Sequence, residues 1–400
     1  MNLIALKYPN FRLYFMAGIC AVNGLWIVRI LIGWLAWSLT GSASFVGFVA
    51  ALSLLPPFLT GPFFGVLVDR ANIKWAALAT NSAMLICVLT LLAAHITGHL
   101  TPTVLALITT AIGVAASAHH PVRLSLGPRL VDAKHVGSVV ALAALNFNTA
   151  RMISPALGGI IINGFGITWA LALSILLSLP SLLVITFLKP RATQKPTSKE
   201  PFLVALGQGF QYLWQRPELR TVIALTALMS LSIRGSSEIL PVVADGIFAK
   251  GALGLGQLGS AMGLGALGAA LIKSMGAIRK ETPVPAMTHV VAAFGFAAVA
   301  LFGASTVWPA SLTAAAALGF CSTYLGVSLQ SAVQADLPDG MRGRVMSIWI
   351  VVSTGASALG ALTIGFATEK IGLPVSGFVL SGFCLVLLGK LVLSSKKTGG

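Results

Sequence analysis

The sequence predicts an all-α membrane protein with twelve transmembrane helices, arranged as two six-helix bundles of like orientation. Three observations lead to this fold class. Apolar residues make up 56% of the chain and charged residues only 9%, long apolar segments follow one another along it, and Lys and Arg collect in alternate gaps between these segments. A soluble domain carries about 25% charged residues, so a soluble fold of this composition is excluded.

A spanning helix needs about 20 mostly apolar residues. The first apolar segment follows two basic residues and is too long for a signal-peptide core, so we interpret it as a retained span. The predicted spans are 13–38, 44–68, 75–97, 102–122, 136–163, 167–188, 219–245, 253–275, 284–304, 307–333, 344–368 and 373–394.

The gap after the sixth span differs from the others because it is long, polar and contains proline. It separates a predicted N-terminal bundle, residues 1–188, from a C-terminal bundle, residues 219–400, and residues 189–218 form a cytoplasmic linker. Within the linker, residues 201–215 place apolar and polar side chains at helical spacing. This pattern predicts an amphipathic helix on the membrane surface.

The basic residues fix the predicted orientation. The intervening gaps contain only Lys250 and Lys370. Basic loops stay on the cytoplasmic side during insertion, so we expect both termini in the cytoplasm. The twenty residues in the basic gaps, out of 26 Lys and Arg, are Lys7, Arg12, Arg70, Lys74, Arg123, Arg129, Lys134, Lys189, Arg191, Lys195, Lys199, Arg216, Arg220, Lys273, Arg279, Lys280, Arg342, Arg344, Lys396 and Lys397.

This distribution also accounts for the net charge of +16. The charge is spread over short loops, with no basic helix and no interleaved aromatic residues, so nucleic acid is not an expected partner. Anionic lipid head groups are, because basic loops at a membrane surface attract them.

The two halves of the chain repeat short sequences at near-constant offset. The tetrapeptide PNFR at 9–12 returns as PELR at 217–220, and ALG at 156–158 returns at 358–360. With six spans in each half, the repeats share one orientation and are related by an axis along the membrane normal.

Residues 65–74, GVLVDRANIK, resemble the signature loop of the major facilitator superfamily, usually written G-x-L-a-D-r-x-G-r-k. The sequence departs from it at Asn72, where Gly is usual, and at Ile73, where a base is usual. Because Asn tolerates left-handed backbone, we expect Asn72 to adopt the conformation that Gly would supply.

Four further stretches resemble the enterobactin-exporter-like branch of bacterial efflux proteins within this superfamily. The span count, the central linker and both half-starts fit the same resemblance. The four stretches are Phe11-Arg12, Leu39-Thr40-Gly41-Ser42, Leu130-Val131-Asp132 and residues 342–347, RGRVMS.

The resemblance implies a conformational latch between the signature loop and a helix of the second half. Asp69 is the candidate carboxylate, and Arg342 and Arg344 at the start of span 11 are its candidate partners. The alternative is an ordinary solvated loop carboxylate. The predicted latch residues are Gly65, Asp69, Arg70, Lys74, Arg342 and Arg344.

Charged residues inside spans are costly unless they are paired or face water, so they are candidates for function. Glu238 is the predicted proton carrier, with Asp245 as the alternative. Arg234, four residues before Glu238, shares its helix face, so a static ion pair is the competing interpretation. The predicted cavity residues are Asn23, Arg29, Asn146, Asn148, Arg151, Arg234 and Gln330.

Span 5 contains Pro155, Gly158 and Gly159, which resemble the span-5 motif of drug/proton antiporters. Small residues let helices approach closely and proline bends a helix. The resemblance implies export, and generic helix packing is the alternative.

Catalytic and cofactor motifs are not found. The sequence has no Walker loop, GxSxG or HExxH motif and no Cys/His spacing for a metal, so we expect neither an enzyme nor a metal or other cofactor.

The sequence therefore predicts a bacterial inner-membrane secondary transporter that exports a small amphipathic, siderophore- or drug-like molecule in exchange for protons. The resemblance implies alternating access by a monomer. Two alternative hypotheses are an uptake symporter for an organic anion and a membrane receptor or assembly factor that no longer transports.

Overall fold

The structure is a computed structural model that describes residues 3–191, 202–275, 285–335 and 337–398. All regular structure in these ranges is helical. Some residues inside the helices, among them 65–70 and 342–343, are described by their backbone alone.

Thirteen α-helices account for most of the described chain. Short 3₁₀ turns precede the first helix and join the fourth to the fifth. The helices are α1 Pro9–Thr40, α2 Ala43–Arg70, α3 Ile73–Ile96, α4 Pro102–Leu126, α5 Val136–Phe165, α6 Ile167–Phe187, α7 Phe202–Trp214, α8 Pro217–Met229, α9 Gly251–Met275, α10 Ala286–Ala304, α11 Trp308–Ala335, α12 Asp339–Ile371 and α13 Leu373–Thr398.

The predicted fold class is confirmed. Eleven segments of the described chain are long and apolar enough to cross a membrane, and the shorter apolar stretch Ala43–Pro57 begins α2, which supplies the twelfth span. Several helices extend past the predicted spans, as α12 does by beginning at Asp339. A helix needs no apolar residues once it leaves the hydrocarbon, so hydropathy underestimates its length.

Tight glycine turns end the helices on one side of the predicted membrane. A positive φ is disfavoured for residues with a Cβ but costs glycine little. Each such glycine lies in a connection from an odd-numbered to an even-numbered predicted span, the side with few basic residues. They are Gly41, Gly98, Gly166, Gly251 and Gly372, with φ of 59°, 73°, 89°, 57° and 79°.

The expectation of left-handed backbone at Asn72 is wrong. Asn72 has φ of −67° and ψ of 115°, and its side chain accepts a hydrogen bond from the backbone N–H of Lys74. The residue therefore acts as the N-cap of α3, a position for which Asn is strongly preferred over residues without a short polar side chain.

A polar cluster joins three connections at one end of the helices. The hydroxyl of Tyr8, before α1, donates to Asp132 Oδ2 at 2.5 Å and lies 2.8 Å from His135 Nδ1. Arg191, after α6, forms an ion pair with Asp132. The start of the chain and the segments after α4 and α6 thus lie together, as alternation of the helices requires.

The same contacts set the protonation of Asp132. The hydrogen bond from Tyr8, followed by the one from Arg191, holds the pKa of Asp132 below its ordinary value. A carboxyl group with a lowered pKa stabilises the fold above its unfolded pKa, and the contribution is lost as the pH falls through the lowered value. Asp132 is therefore ionised at neutral pH, and its contacts hold the three segments together there.

The described chain divides into two compact units that do not follow chain order. Unit 1 contains Met1–Thr40, Leu55–Ser198 and Lys250–Ser260, and unit 2 contains Gly41–Leu54, Lys199–Ala249 and Ala261–Gly400. The start of α9 is therefore part of unit 1, and the start of α2 is part of unit 2. The division into bundles at residues 188 and 219 stays a prediction.

Helices cross within unit 1 through glycine. A Cβ built on Gly159 of α5 would lie 2.6 Å from the carbonyl oxygen of Ala252 in α9, and one built on Gly256 would lie 2.7 Å from that of Pro155. Only glycine fits at such distances, so α5 and α9 touch backbone to backbone. Gly158 instead lies against Ile27 and Ile30 of α1.

Unit 2 has an equivalent crossing between α2 and α12. A Cβ built on Gly47 would lie 2.3 Å from the carbonyl oxygen of Ala361, and one on Gly365 would lie 2.6 Å from that of Ala43. At the end of α12, Glu369 Oε2 accepts hydrogen bonds from Ser42 Oγ at 2.5 Å and from the Ser44 amide at 2.9 Å. The carboxylate thereby caps the first turn of α2.

Replacing Gly159 with alanine should destabilise the protein, because one methyl group would overlap the α9 backbone. Gly164→Ala is the matched control in the same helix, since no atom lies within 4 Å of its Cβ position. Overpacking costs about 1–3 kcal/mol, whereas alanine in an open helical position gains up to about 1 kcal/mol. Thermal unfolding in detergent measures the difference, and equal melting temperatures for both variants would contradict the close contact.

Candidate functional site

Two of the predicted interior charges in unit 1 meet at an aromatic pair between α1 and α5. Trp26 of α1 and Phe147 of α5 form an edge-to-face pair with ring centroids 5.4 Å apart. Phe147 and Arg151 are four residues apart and therefore share the face of α5 that lies against α1. The Trp26 cluster denotes Asn23, Trp26, Arg29, Phe147 and Arg151.

Both arginines of the Trp26 cluster lie near the same indole ring. The Cζ atoms of Arg29 and Arg151 are 5.5 and 6.0 Å from the centroid of Trp26. Cation–π contacts at this range contribute about 0.5–2 kcal/mol, depending on desolvation. They hold two positive charges beside one aromatic surface, an arrangement suited to a ligand with a ring and anionic oxygens.

Hydrogen bonding around the cluster leaves one donor available. Ser154 Oγ donates to Asn23 Oδ1 at 2.7 Å, and the Asn23 amide donates to its own helix at the carbonyl oxygen of Ile19. The indole Nε1–H of Trp26, in contrast, is buried and has no acceptor among the described residues. A buried donor without a partner costs about 1–3 kcal/mol, which an acceptor oxygen on a ligand would recover.

The other polar residues predicted for the cavity are placed differently. A Cβ built on Gly18 would lie 3.9 Å from Asn146 Nδ2, so Asn146 lies beside Gly18 of α1. Asn148 donates to the carbonyl oxygen of Ala144 in its own helix. Gln330 lies exposed on α11 in unit 2. The structure therefore groups Asn23, Arg29 and Arg151 and leaves these three outside that group.

In unit 2, Arg234 lies in a pocket made by two other helices. Its Nη1 donates to Ser353 Oγ of α12 at 2.7 Å, and Ser230 Oγ is 3.3 Å from the same hydroxyl. A Cβ built on Gly326 of α11 would lie 3.1 Å from Arg234 Nη2. The glycine thus makes room for the guanidinium, and Ser353 orients it.

The segment that carries Arg234 departs from α-helical geometry between Ser230 and Ile247. After α8 the chain forms a π-helix at Ser230–Arg234, a 3₁₀ turn at Ser237–Ile239 and a second π-helix at Val242–Ile247. Pro241 has no N–H for the helical ladder, which disfavours a regular helix here. π-helical turns are rare and are frequently found at functional sites.

The two predicted proton carriers lie in these irregular turns. Glu238 is in the 3₁₀ turn, Asp245 is in the second π-helix, and both are partly buried. Because the helix is irregular, α-helical spacing does not establish that Glu238 faces Arg234. The proposed ion pair between them stays a prediction.

The predicted latch is described in part. Side chains of Asp69, Arg70 and Arg342 lie outside the described residues, as does the surrounding of Gly65. Lys74 Nζ donates to the carbonyl oxygen of Thr186 at 2.6 Å, and Arg344 Nη1 donates to Gln208 Oε1 of α7. The role of these residues as a latch stays a prediction.

The helix α7 lies where the amphipathic helix was predicted and packs on α12. A Cβ built on Gly209 would lie 3.1 Å from the backbone of Arg344. Its exposed aromatic residues, Phe210 and Trp214, stack with centroids 5.7 Å apart. Its location on a membrane surface stays a prediction.

Sequence reasoning missed Phe147 and Ser353 as candidate site residues and left Trp26 open between an interfacial anchor and a ligand contact. Trp26 follows Asn23 and precedes Arg29 by three positions each, and Phe147 precedes Arg151 by four. Reading the helix faces around each interior arginine would have found the two aromatic residues. No signal in the sequence points to Ser353. Among the described residues, no group of three or more His, Cys, Asp or Glu side chains is placed to hold a metal.

Comparison with known proteins places this architecture. Residues 2–398 match a family model described as transmembrane secretion effector. Curated relatives include the enterobactin exporter EntS of Salmonella choleraesuis strain SC-B67, 27% identical over 98% of this chain and 94% of the relative. The enterobactin exporter EntS of Shigella boydii serotype 4 is 26% identical over 98% and 93%.

Solved structures of transporters share the fold. A bacterial homologue of the human lysosomal transporter Spinster, inward-facing and unoccupied, has a TM-score of 0.73 at 13% identity and covers 98% of each chain. The nucleoside transporter NupG has a TM-score of 0.68 at 15% identity over 98% of this chain and 99% of its own.

The family match across almost the whole chain, the exporter relatives and the transporter folds agree with twelve apolar helices that carry no catalytic constellation among the described residues. The protein is an integral membrane protein and a secondary transporter, not an enzyme, and the chain belongs to the major facilitator superfamily, in its transmembrane secretion effector family.

Proposed function

We propose that the protein exports an amphipathic, aromatic molecule with anionic or phenolic oxygens across the bacterial inner membrane, in exchange for protons. The observation that carries this proposal is the Trp26 cluster, with two arginines beside one indole ring and a buried indole N–H that lacks an acceptor. The relatives are named as exporters of enterobactin, so export of a siderophore-like molecule follows the same direction.

The chemistry of the Trp26 cluster selects for this class of ligand. Trp26 and Phe147 offer aromatic surface, on which a ring gains about 0.5–1.5 kcal/mol beyond its area burial. Arginine binds carboxylate or catecholate oxygens through a planar fork of donors, with charge-assisted hydrogen bonds stronger than neutral ones. An uncharged aliphatic molecule would gain neither the aromatic contact nor the charge-assisted hydrogen bonds.

Unit 2 supplies the proposed coupling site. Glu238 is partly buried in a 3₁₀ turn next to a π-helix that carries Arg234. A carboxylate within a transmembrane segment can bind and release one proton per cycle, and Asp245 is the alternative carrier in the same segment.

The proposed cycle is alternating access by a single chain, oriented with both termini in the cytoplasm. Backbone-to-backbone crossings of α5 with α9 and of α2 with α12 have no interlocking side chains at the contact. Such surfaces can separate and meet again at low cost, which supports a rocking mechanism. Anionic lipids are the proposed partners of the basic loops.

Glu238→Gln should abolish proton-coupled export, because an amide side chain cannot bind and release a proton during the cycle. Uptake of labelled enterobactin into inverted vesicles under an imposed pH gradient measures the effect. Glu218→Gln, an exposed carboxylate at the start of α8, is the control and should transport normally. Unchanged gradient-driven transport by Glu238→Gln would remove Glu238 from the coupling site.

Arg151→Gln should weaken ligand binding more than turnover, since it removes one charge from the Trp26 cluster. Loss of a charge-assisted hydrogen bond costs about 1.5–3 kcal/mol, which corresponds to a rise in KM of about 10–100-fold. Lys390→Gln, an exposed base on α13, is the control within a spanning helix. An unchanged KM for Arg151→Gln, with a folded protein, would contradict the proposed ligand site.

A further inference from the structure

A second polar space lies inside unit 1, separate from the Trp26 cluster. It is a partly open cavity of about 70 Å³ lined by α1, α3, α4 and α6, which we name the inner cavity. Most of its walls are apolar, with residues such as Val28, Met84 and Leu85. The polar side chains that line it are Tyr14, Asn81, His119, Arg123, Ser178 and Ser181.

The charge in the inner cavity has no carboxylate beside it among the described residues. Arg123 is partly buried, and its guanidinium lies over the ring of Phe147, with Cζ 5.5 Å from the centroid. No described carboxylate forms an ion pair with it, and none lines the cavity. A buried charge without a partner is strongly destabilising, so this position favours a counterion from outside the chain.

His119 lies one helical turn before Arg123 and adds a second unsatisfied group. Its Nδ1 is buried and has no hydrogen-bond partner among the described residues. Positions four apart share a helix face, and both side chains line the inner cavity. The α4 wall therefore presents a cation and an imidazole nitrogen to the same space.

The other polar side chains that line the inner cavity already have hydrogen-bond partners. Asn81 donates to the carbonyl oxygen of Ala77 and accepts from Ser181 Oγ at 3.3 Å. Ser178 Oγ donates to the carbonyl oxygen of Ser174. Hydrogen bonds within α3 and α6 thus account for these groups, which leaves Arg123 and His119 as the groups that a ligand would satisfy.

We infer that the inner cavity binds a small anionic group between Arg123 and His119. The cavity can hold a few waters or one small ion, since a single water needs about 10–15 Å³ of such volume. It is too small for a whole amphipathic molecule. The occupant is therefore a free ion of chloride size, or a carboxylate or phosphate head whose tail lies outside.

An anion at this position would also act on the ligand site. Arg123 contacts Phe147, and Phe147 contacts Trp26. By fixing the Arg123 guanidinium, the anion orients the aromatic pair to which the arginines of the Trp26 cluster are bound. This inference stands on the inner cavity and does not require the proposed substrate.

Thermal unfolding of the purified protein in detergent tests the inference. Sodium chloride is titrated against sodium gluconate at constant ionic strength, because gluconate is too large for the cavity. The wild-type melting temperature should rise with chloride concentration, by roughly 5 °C when chloride reaches about 100 times its dissociation constant. Arg123→Gln should lose the response, Arg123→Lys should keep part of it, and Arg12→Gln, an exposed base on α1, should keep it fully.

Two further measurements complete the test. In chloride-free nanodiscs, stabilisation by phosphatidylglycerol but not by phosphatidylcholine would assign the site to a lipid head, whereas dependence on chloride alone would assign it to a free ion. Broadening of the chloride-35 resonance by the wild-type protein reports binding directly, even where Arg123→Gln does not fold. Absence of any anion dependence and of any broadening, or an equal response in Arg123→Gln, would overturn the inference.

Discussion

The free energy of placing charge in hydrocarbon governs this molecule. A bilayer core offers no water, so each ionised side chain inside it costs several kcal/mol unless protein, water or a ligand compensates it. The chain obeys this constraint by restricting most bases to alternate loops. The interior bases that remain are held against the indole of Trp26, the hydroxyl of Ser353 or the ring of Phe147.

The architecture around these charges is built from glycine. Positive-φ glycines make short turns at one side of the predicted membrane, and other glycines let helices cross at backbone distance, as Gly159 does with α9 and Gly47 with α12. The same chemistry occurs in both units. Close approach of this kind lets helices associate through van der Waals packing of their backbones.

Hydropathy and charge predicted the helix order and the twelve spans, because both depend on local composition, whereas the resemblance of residues 65–74 to a signature loop predicted the family. Helix ends were predicted less well, since a helix such as α12 continues into water. The role of Asn72 was misjudged, because its cap depends on the backbone of Lys74. The π-helices around Arg234 could not be predicted, since they arise from packing against α11 and α12. Only tertiary structure brings Phe147 beside Trp26 and places His119 in the wall of the inner cavity.

The proposed sites for the ligand and the proton are built from different helices. Coupled transport therefore requires that binding at one site changes the affinity of the other. In the proposed mechanism, the arginines of unit 1 bind the anionic cargo, and Glu238 in unit 2 binds the proton. Binding of the cargo must then change the proton affinity of Glu238, and linkage makes the effect reciprocal.

Calorimetric titration of enterobactin into the purified protein, repeated in buffers of different ionisation enthalpy, tests this central claim most directly. The account predicts that wild-type protein releases protons on binding, and that Glu238→Gln binds the ligand without proton release. Binding that releases no protons in the wild type, or the same number in Glu238→Gln, would contradict it.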